Sequence, residues 1–226
     1  MRLARVTVFA GHFGSGKTSI AIAYALWAKQ QEEHVLLCDL DIMNPYSKMA
    51  DAADALAKAG IRVIASRFAN TNVDAPAMPV EALAVFDDSD ITGIIDLGGD
   101  NHGALALGRY ADFLRNGGDY EMLLVLNQYR PLTRSFSDLY EIKNEIEIAS
   151  KVGFTGLINN SNLAAETTLQ DVIATADFAA KASEKLALPL KMTVLDERLI
   201  QSAEAKEMAL LAMGELFPMT PYKNKL

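Results

Sequence analysis

Short apolar runs rich in Val, Ile and Leu alternate along the chain with longer stretches in which apolar residues return at helical spacing. A continuous apolar run of strand length reads as a strand buried on both faces, and its alternation with helices reads as a parallel sheet covered on both sides. The pattern predicts about seven strands: Ala4 to Ala10, Val35 to Asp39, Ile61 to Ala65, Ile91 to Asp96, Tyr120 to Asn127, Phe154 to Ile158 and Leu190 to Leu195. Helices are expected over Thr18 to Gln31, Pro45 to Ala59, Ala104 to Arg115, Thr133 to Ser150, Thr168 to Leu186 and Arg198 to Phe217, where Ala, Leu, Glu and Lys are dense. Ser66 to Pro79, with Asn70, Asn72, Pro76 and Pro79, reads as a surface loop. No linker, low-complexity tract or fixed-period repeat divides the chain, so residues 1–226 are expected to form a single α/β domain.

Composition narrows the class. Half of the 226 residues are apolar, enough for a sizeable core and too many for a disordered chain. With 21 Lys and Arg against 29 Asp and Glu, the net charge of −8 argues against general affinity for nucleic acid or anionic lipid. Cys38 stands alone, which excludes an internal disulfide, and no Cys/His cluster offers a zinc site. The N-terminus lacks the apolar run of a secretory signal, and no uncharged stretch approaches the roughly 20 residues of a bilayer span. A soluble, cytoplasmic protein is expected.

The chemistry concentrates after the first strand, in Gly11-His12-Phe13-Gly14-Ser15-Gly16-Lys17-Thr18, followed by the helical run that starts at Ser19. This is a complete phosphate-binding loop, G-x-x-x-x-G-K-[ST], in its strand, loop and helix context. Glycines let successive backbone N–H groups curl toward a β-phosphate, and the helix directs its positive end there. Lys17 would neutralise phosphate charge, and the Thr18 hydroxyl would ligate Mg²⁺. Residues Gly11 through Ser19 are therefore the expected nucleotide-binding segment.

Two further signals sit at strand ends. Asp96 closes the apolar run Ile91 to Ile95, where an acid can hold Mg²⁺, and Gly99 completes D-x-x-G, whose glycine N–H can bond a γ-phosphate. Asp39 and Asp41 end the second strand; alternation puts both carboxylates on one side, where a cation would relieve their repulsion. The alternative reading makes these acids a strand cap and turn before Pro45. Cys38 reads as a small buried hydrophobe.

Taken together, the loop, the Asp39-x-Asp41 strand end and the Asp96-x-x-Gly99 strand end resemble the MinD/ParA/nitrogenase-iron-protein group, over approximately Leu3 to Asp196. The stretches from Gly11, from Asp39 to Tyr46 and from Phe68 to Asp74 are similar to a bacterial branch described only as ATP-binding. The resemblance implies a P-loop NTPase fold, three-layered and doubly wound, and a deviant Walker A ATPase using ATP and Mg²⁺. It implies Thr18 and Asp96 as metal ligands, Asp39 as a further metal-site acid, and Asp41 as the acid that orients the attacking water, so Lys17 and Asp41 are the expected catalytic pair. Many members carry a second lysine after the first glycine that reaches across a nucleotide-bridged homodimer; His12 stands there, which removes the usual support for that dimer while leaving a tight-turn or a phosphate-side role open. The segment Leu126 to Arg130 supplies no N-K-x-D, and the family places an Asn on adenine at the strand end corresponding to Asn159, with Asn160 beside it.

The favoured reading is a Mg²⁺-dependent ATPase with slow turnover, acting as a nucleotide-driven switch on a protein partner. A synthetase or small-molecule kinase on the same scaffold would need a pocket for an acidic substrate, for which Arg109, Arg130 and Arg134 are the candidates. His102 falls in a segment expected to move with the γ-phosphate, and His34 reads as surface. A membrane- or chromosome-positioning ATPase is disfavoured by the acidic total and by a C-terminus too poor in apolar residues for a membrane-seeking helix.

Overall fold

The computed structural model describes residues 2–40, 48–65, 80–99, 101–200 and 214–219. Its strands are β1 (Val6–Ala10), β2 (Val35–Leu40), β3 (Arg62–Ala65), β4 (Thr92–Leu97), β5 (Tyr120–Leu126), β6 (Gly156–Asn159), β7 (Leu190–Asp196) and β8 (Glu215–Met219). They form one sheet in the order β3-β2-β4-β1-β5-β6-β7-β8, and every neighbouring pair is parallel. The α/β architecture with a parallel sheet is the one the apolar pattern predicts, with eight strands rather than seven. The first three residues of β8 fall in the stretch expected to be helical, and Pro218, just beyond that stretch, disguises the strand. Proline removes a ladder donor and is tolerated only at a sheet edge, which is where β8 sits, paired with β7 alone among the described strands.

The helices are α1 (Lys17–Ala28), α2 (Lys48–Lys58), α3 (Ala84–Asp87), α4 (Asn101–Gly108), α5 (Ala111–Gly117), α6 (Phe136–Ser150), α7 (Leu169–Ala174), α8 (Ala176–Leu186) and α9 (Glu197–Ile200). Two long helices of the sequence reading are each broken in two. Thr168 to Leu186 breaks at Thr175, whose hydroxyl donates back to the Val172 carbonyl at 2.8 Å and accepts from Asn159 at 3.0 Å. Ala104 to Arg115 breaks after Gly108, where a Cβ would lie 2.6 Å from the Ala149 carbonyl oxygen, so the end of α4 rests directly on the backbone of α6.

Strand alternation sorts the core into two layers. Val8, Ala10, Leu36, Cys38, Ile95 and Leu97 face a layer that includes α4, α5 and α6, while Phe9, Leu37 and Ile94 face α1 and α2. On the α1 side, the Tyr24 ring packs 5.2 Å from Phe9 and 5.9 Å from Phe217, fastening β8 to the first helix. Cys38 is fully buried in β2, and burial pushes its thiol up to about 12. The native protein is accordingly expected to resist iodoacetamide at pH 8 and to become alkylated only in denaturant, because both access and thiolate are lacking. Mass spectrometry detects the opposite outcome as a one-adduct shift of the native protein.

Candidate functional site

The chain leaves β1 at Ala10 and turns through three glycines with positive φ, Gly11 at 143°, Gly14 at 80° and Gly16 at 95°. Gly11 is confined by contact as well: a Cβ there would lie 2.7 Å from the Val125 carbonyl oxygen of β5. Gly16 is the N-cap of α1, with no side-chain cap and no acid in the first turn. The first helical bond runs from Ile20 N–H to the Gly16 carbonyl. The N-terminal N–H groups of a helix have no partner within the helix and carry its positive pole, so an uncapped start beside a glycine curl is suited to an anion.

Lys17 belongs to the first turn, yet its ammonium reaches back across the curl to donate to the His12 carbonyl at 3.2 Å, and the residue is only 5% exposed. The Ser15 N–H donates to the same carbonyl at 3.2 Å. Ser15 is fully buried, and its Oγ has no hydrogen-bond partner among the described residues. His12 is half-buried, with Nδ1 3.2 Å from the Phe13 carbonyl; Phe13 and Gly14 are exposed at the tip. Thr18 and Ser19 are half-buried in the first turn of α1. The whole expected segment, Gly11 through Ser19, is thus gathered between β1 and α1.

Opposite the loop, Asp39 of β2 and Asp96 of β4 are register partners at the C-terminal ends of adjacent parallel strands, and Phe9 of β1 is the next partner of Asp96. Alternation points them toward α1, the side from which Lys17 and Thr18 start. Both acids are almost fully buried, at 4% and 1% exposure. Two neighbouring carboxylates withdrawn from water favour a hard cation with oxygen ligands, and their chemistry, like that of the Thr18 hydroxyl, fits Mg²⁺. Among the described residues no group of three His, Cys, Asp or Glu side chains gathers, so most of an octahedral shell would come from water and phosphate. Asp41, the expected water-orienting acid, lies outside the described residues, as does Ser66 to Pro79.

Gly99 presses against the loop itself: a Cβ would lie 2.5 Å from the Phe13 backbone nitrogen and 3.0 Å from its Cα. Behind it, Gly103 of α4 leaves room for a Cβ only 2.9 Å from the Leu40 carbonyl oxygen and 3.1 Å from the Gly98 nitrogen. The D-x-x-G turn, the end of β2 and the start of α4 therefore meet through backbone alone. Gly99→Ala should push this turn off the loop and weaken triphosphate binding by about tenfold, with diphosphate binding less affected. Equal losses for both nucleotides in a fluorescence titration would count against a γ-phosphate contact here.

On the base side, the two asparagines of the β6 exit lie inside the fold. Asn159 is fully buried, its amide donates to the Thr175 hydroxyl at 3.0 Å, and its Oδ1 accepts from Ser161 N–H at 3.1 Å. With one donor and one acceptor position engaged at full burial, this side chain joins β6 to the α7–α8 break. Asn160, 2% exposed, donates instead to the Ser15 carbonyl of the loop at 2.7 Å. A second stitch runs from Gln128 N–H to the Ser161 hydroxyl at 2.9 Å, tying the β5 and β6 exits together. Arg109, Arg130 and Arg134 are exposed, as is His102. No signal in the sequence marks Asn160 as a partner of the loop, since 145 residues separate it from Ser15.

No protein-family model matches the chain, and comparison with curated proteins finds no match. Solved structures do match. The cell division protein FtsY of Thermotoga maritima is 19% identical with a TM-score of 0.61, covering 93% of this chain and 68% of its own. FtsY of Mycoplasma mycoides is 17% identical with a TM-score of 0.55, and the chloroplast FtsY of Physcomitrella patens 19% identical at 0.53; this chain spans 61% and 58% of their lengths. The likeness establishes a P-loop NTPase fold and does not single out the MinD/ParA group that the sequence resembles.

Proposed function

We propose that this protein is a Mg²⁺-dependent nucleoside-triphosphate switch that hydrolyses its nucleotide slowly, with ATP as the nucleotide and a protein as the partner that reads its state. The observation that carries the reading is the buried Lys17 reaching across a glycine curl at an uncapped helix start, with the buried Asp39–Asp96 register pair at the same ends of the neighbouring strands. Lys17 and the loop N–H groups would hold the phosphate chain; Thr18, Asp39 and Asp96 would hold Mg²⁺, which when bound neutralises phosphate charge. Asp41 would orient the attacking water, as the family resemblance suggests. Such a site works by positioning and electrostatics, which matches slow basal turnover without a strongly activated base. The contact of Gly99 with the loop, and of Gly103 with the β2 exit, gives the γ-phosphate a short backbone route to α4.

ATP rests on the segment Asn127–Arg130, which contains no acid to read guanine. A guanine nucleotide is the second reading, because the buried Asn159 side chain already spends a donor and an acceptor position within the fold. Competition of ATP and GTP against one fluorescent nucleotide decides between them. Among the described residues no helix is long and apolar enough to cross a membrane. Asp41→Ala should leave binding within about twofold and slow phosphate release at least about tenfold; unchanged turnover would remove Asp41 from the scheme.

A further inference from the structure

We propose that Asn160 is a positioning residue of the phosphate loop, a clamp that sets the loop's backbone whichever base the nucleotide carries. The inference rests on the nucleotide reading above and assigns this side chain a task other than base recognition. Its geometry is unambiguous in one respect. The Ser15 carbonyl can only accept, so the atom 2.7 Å away must be the Asn160 Nδ2 donor, and the amide orientation is fixed. In a planar trans peptide, the carbonyl of one residue and the N–H of the next point in opposite directions. Holding the Ser15 oxygen therefore turns the Gly16 N–H the other way, toward the side on which a phosphate would lie.

Three observations support a clamp. First, Asn160 is itself held rigidly: its N–H donates to the Leu126 carbonyl of β5 at 2.8 Å, and its carbonyl accepts from Asn162 Nδ2 at 2.7 Å. Second, the amide is packed so tightly beneath the turn that a Cβ on Gly16 would overlap Nδ2. Position 16 must therefore be glycine for contact as well as for its φ of 95°. Third, Asn160 is 2% exposed, and its Oδ1 is buried without a hydrogen-bond partner among the described residues. A buried orphan acceptor is a cost that a residue serving stability alone has no reason to carry. The loop bond made by the other end of the amide gives one.

The test separates a clamp from a base reader by using a ligand without a base. Titration calorimetry on the full chain compares Mg²⁺·ATP, Mg²⁺·GTP and Mg²⁺·pyrophosphate in wild type and in Asn160→Asp, a near-isostere without the Nδ2 donor. The clamp predicts affinity losses of the order of tenfold that are equal for all three ligands, with the ATP-to-GTP ratio unchanged. A loss confined to one nucleotide, with pyrophosphate spared, identifies a base reader and overturns the proposal. So does an unchanged variant. Thermal melts followed through the single tryptophan, Trp27, show whether the variant folds, and Asn160→Ala, which adds no charge, repeats the comparison if the aspartate lowers the melting temperature. Wild type binding none of the ligands overturns the nucleotide reading and the clamp with it; wild type binding with variants unchanged overturns the clamp alone.

Discussion

Replacing Lys17 with alanine should raise the dissociation constant for a fluorescent Mg²⁺·ATP analogue by at least two orders of magnitude. Lys17 is 5% exposed, so water screens its charge little. A unit charge pair about 4 Å apart at an effective dielectric near 20 interacts by about 4 kcal/mol, and each 1.4 kcal/mol is tenfold. Two or more phosphate oxygens within reach make the loss larger. The fold should survive, because the charge removed is itself costly to bury. A melting temperature close to wild type, together with lost binding, is the expected pair of results.

A large stability effect is expected at Gly16. At φ 95° a side chain costs about 1–2 kcal/mol, and its Cβ also overlaps the Asn160 amide, so the Ser15 bond breaks at roughly 1–3 kcal/mol more. Gly16→Ala should thus lose about 2–5 kcal/mol. At about 2–4 °C per kcal/mol for a chain of this size, the melting temperature falls by roughly 4–20 °C. Gly14→Ala is the internal control: its φ is 80°, but nothing lies within 4 Å of the added Cβ, so only the backbone cost applies. Equal shifts in the two variants would show that the Asn160 contact contributes nothing.

The glycine curl between β1 and α1 was legible because its requirements are local: glycines where φ is positive, and Lys17 at the start of the helix that follows a buried strand. Asp39 and Asp96 were legible for a related reason, since each ends an apolar run and parallel register then brings them side by side. The breaks at Thr175 and after Gly108 were not, because they depend on contacts with Asn159 and with the α6 backbone that no helical periodicity encodes. Asn159 and Asn160 form the instructive pair. Two asparagines at a strand exit satisfy a base-contact pattern and a turn pattern equally well, and only the tertiary placement shows one joined to Thr175 and the other to the loop. β8 was hidden by Pro218, which is acceptable there only because of its place at the edge of the sheet.

Everything turns on whether the curl from Gly11 to Lys17 grips a phosphate chain. Isothermal titration of the wild-type protein with Mg²⁺·ATP, Mg²⁺·GTP and adenosine tests it directly. Saturable heat at one site per chain with at least one triphosphate, and none with adenosine, is the result this structure predicts. Silence from both triphosphates, or adenosine binding as tightly as ATP, would contradict it.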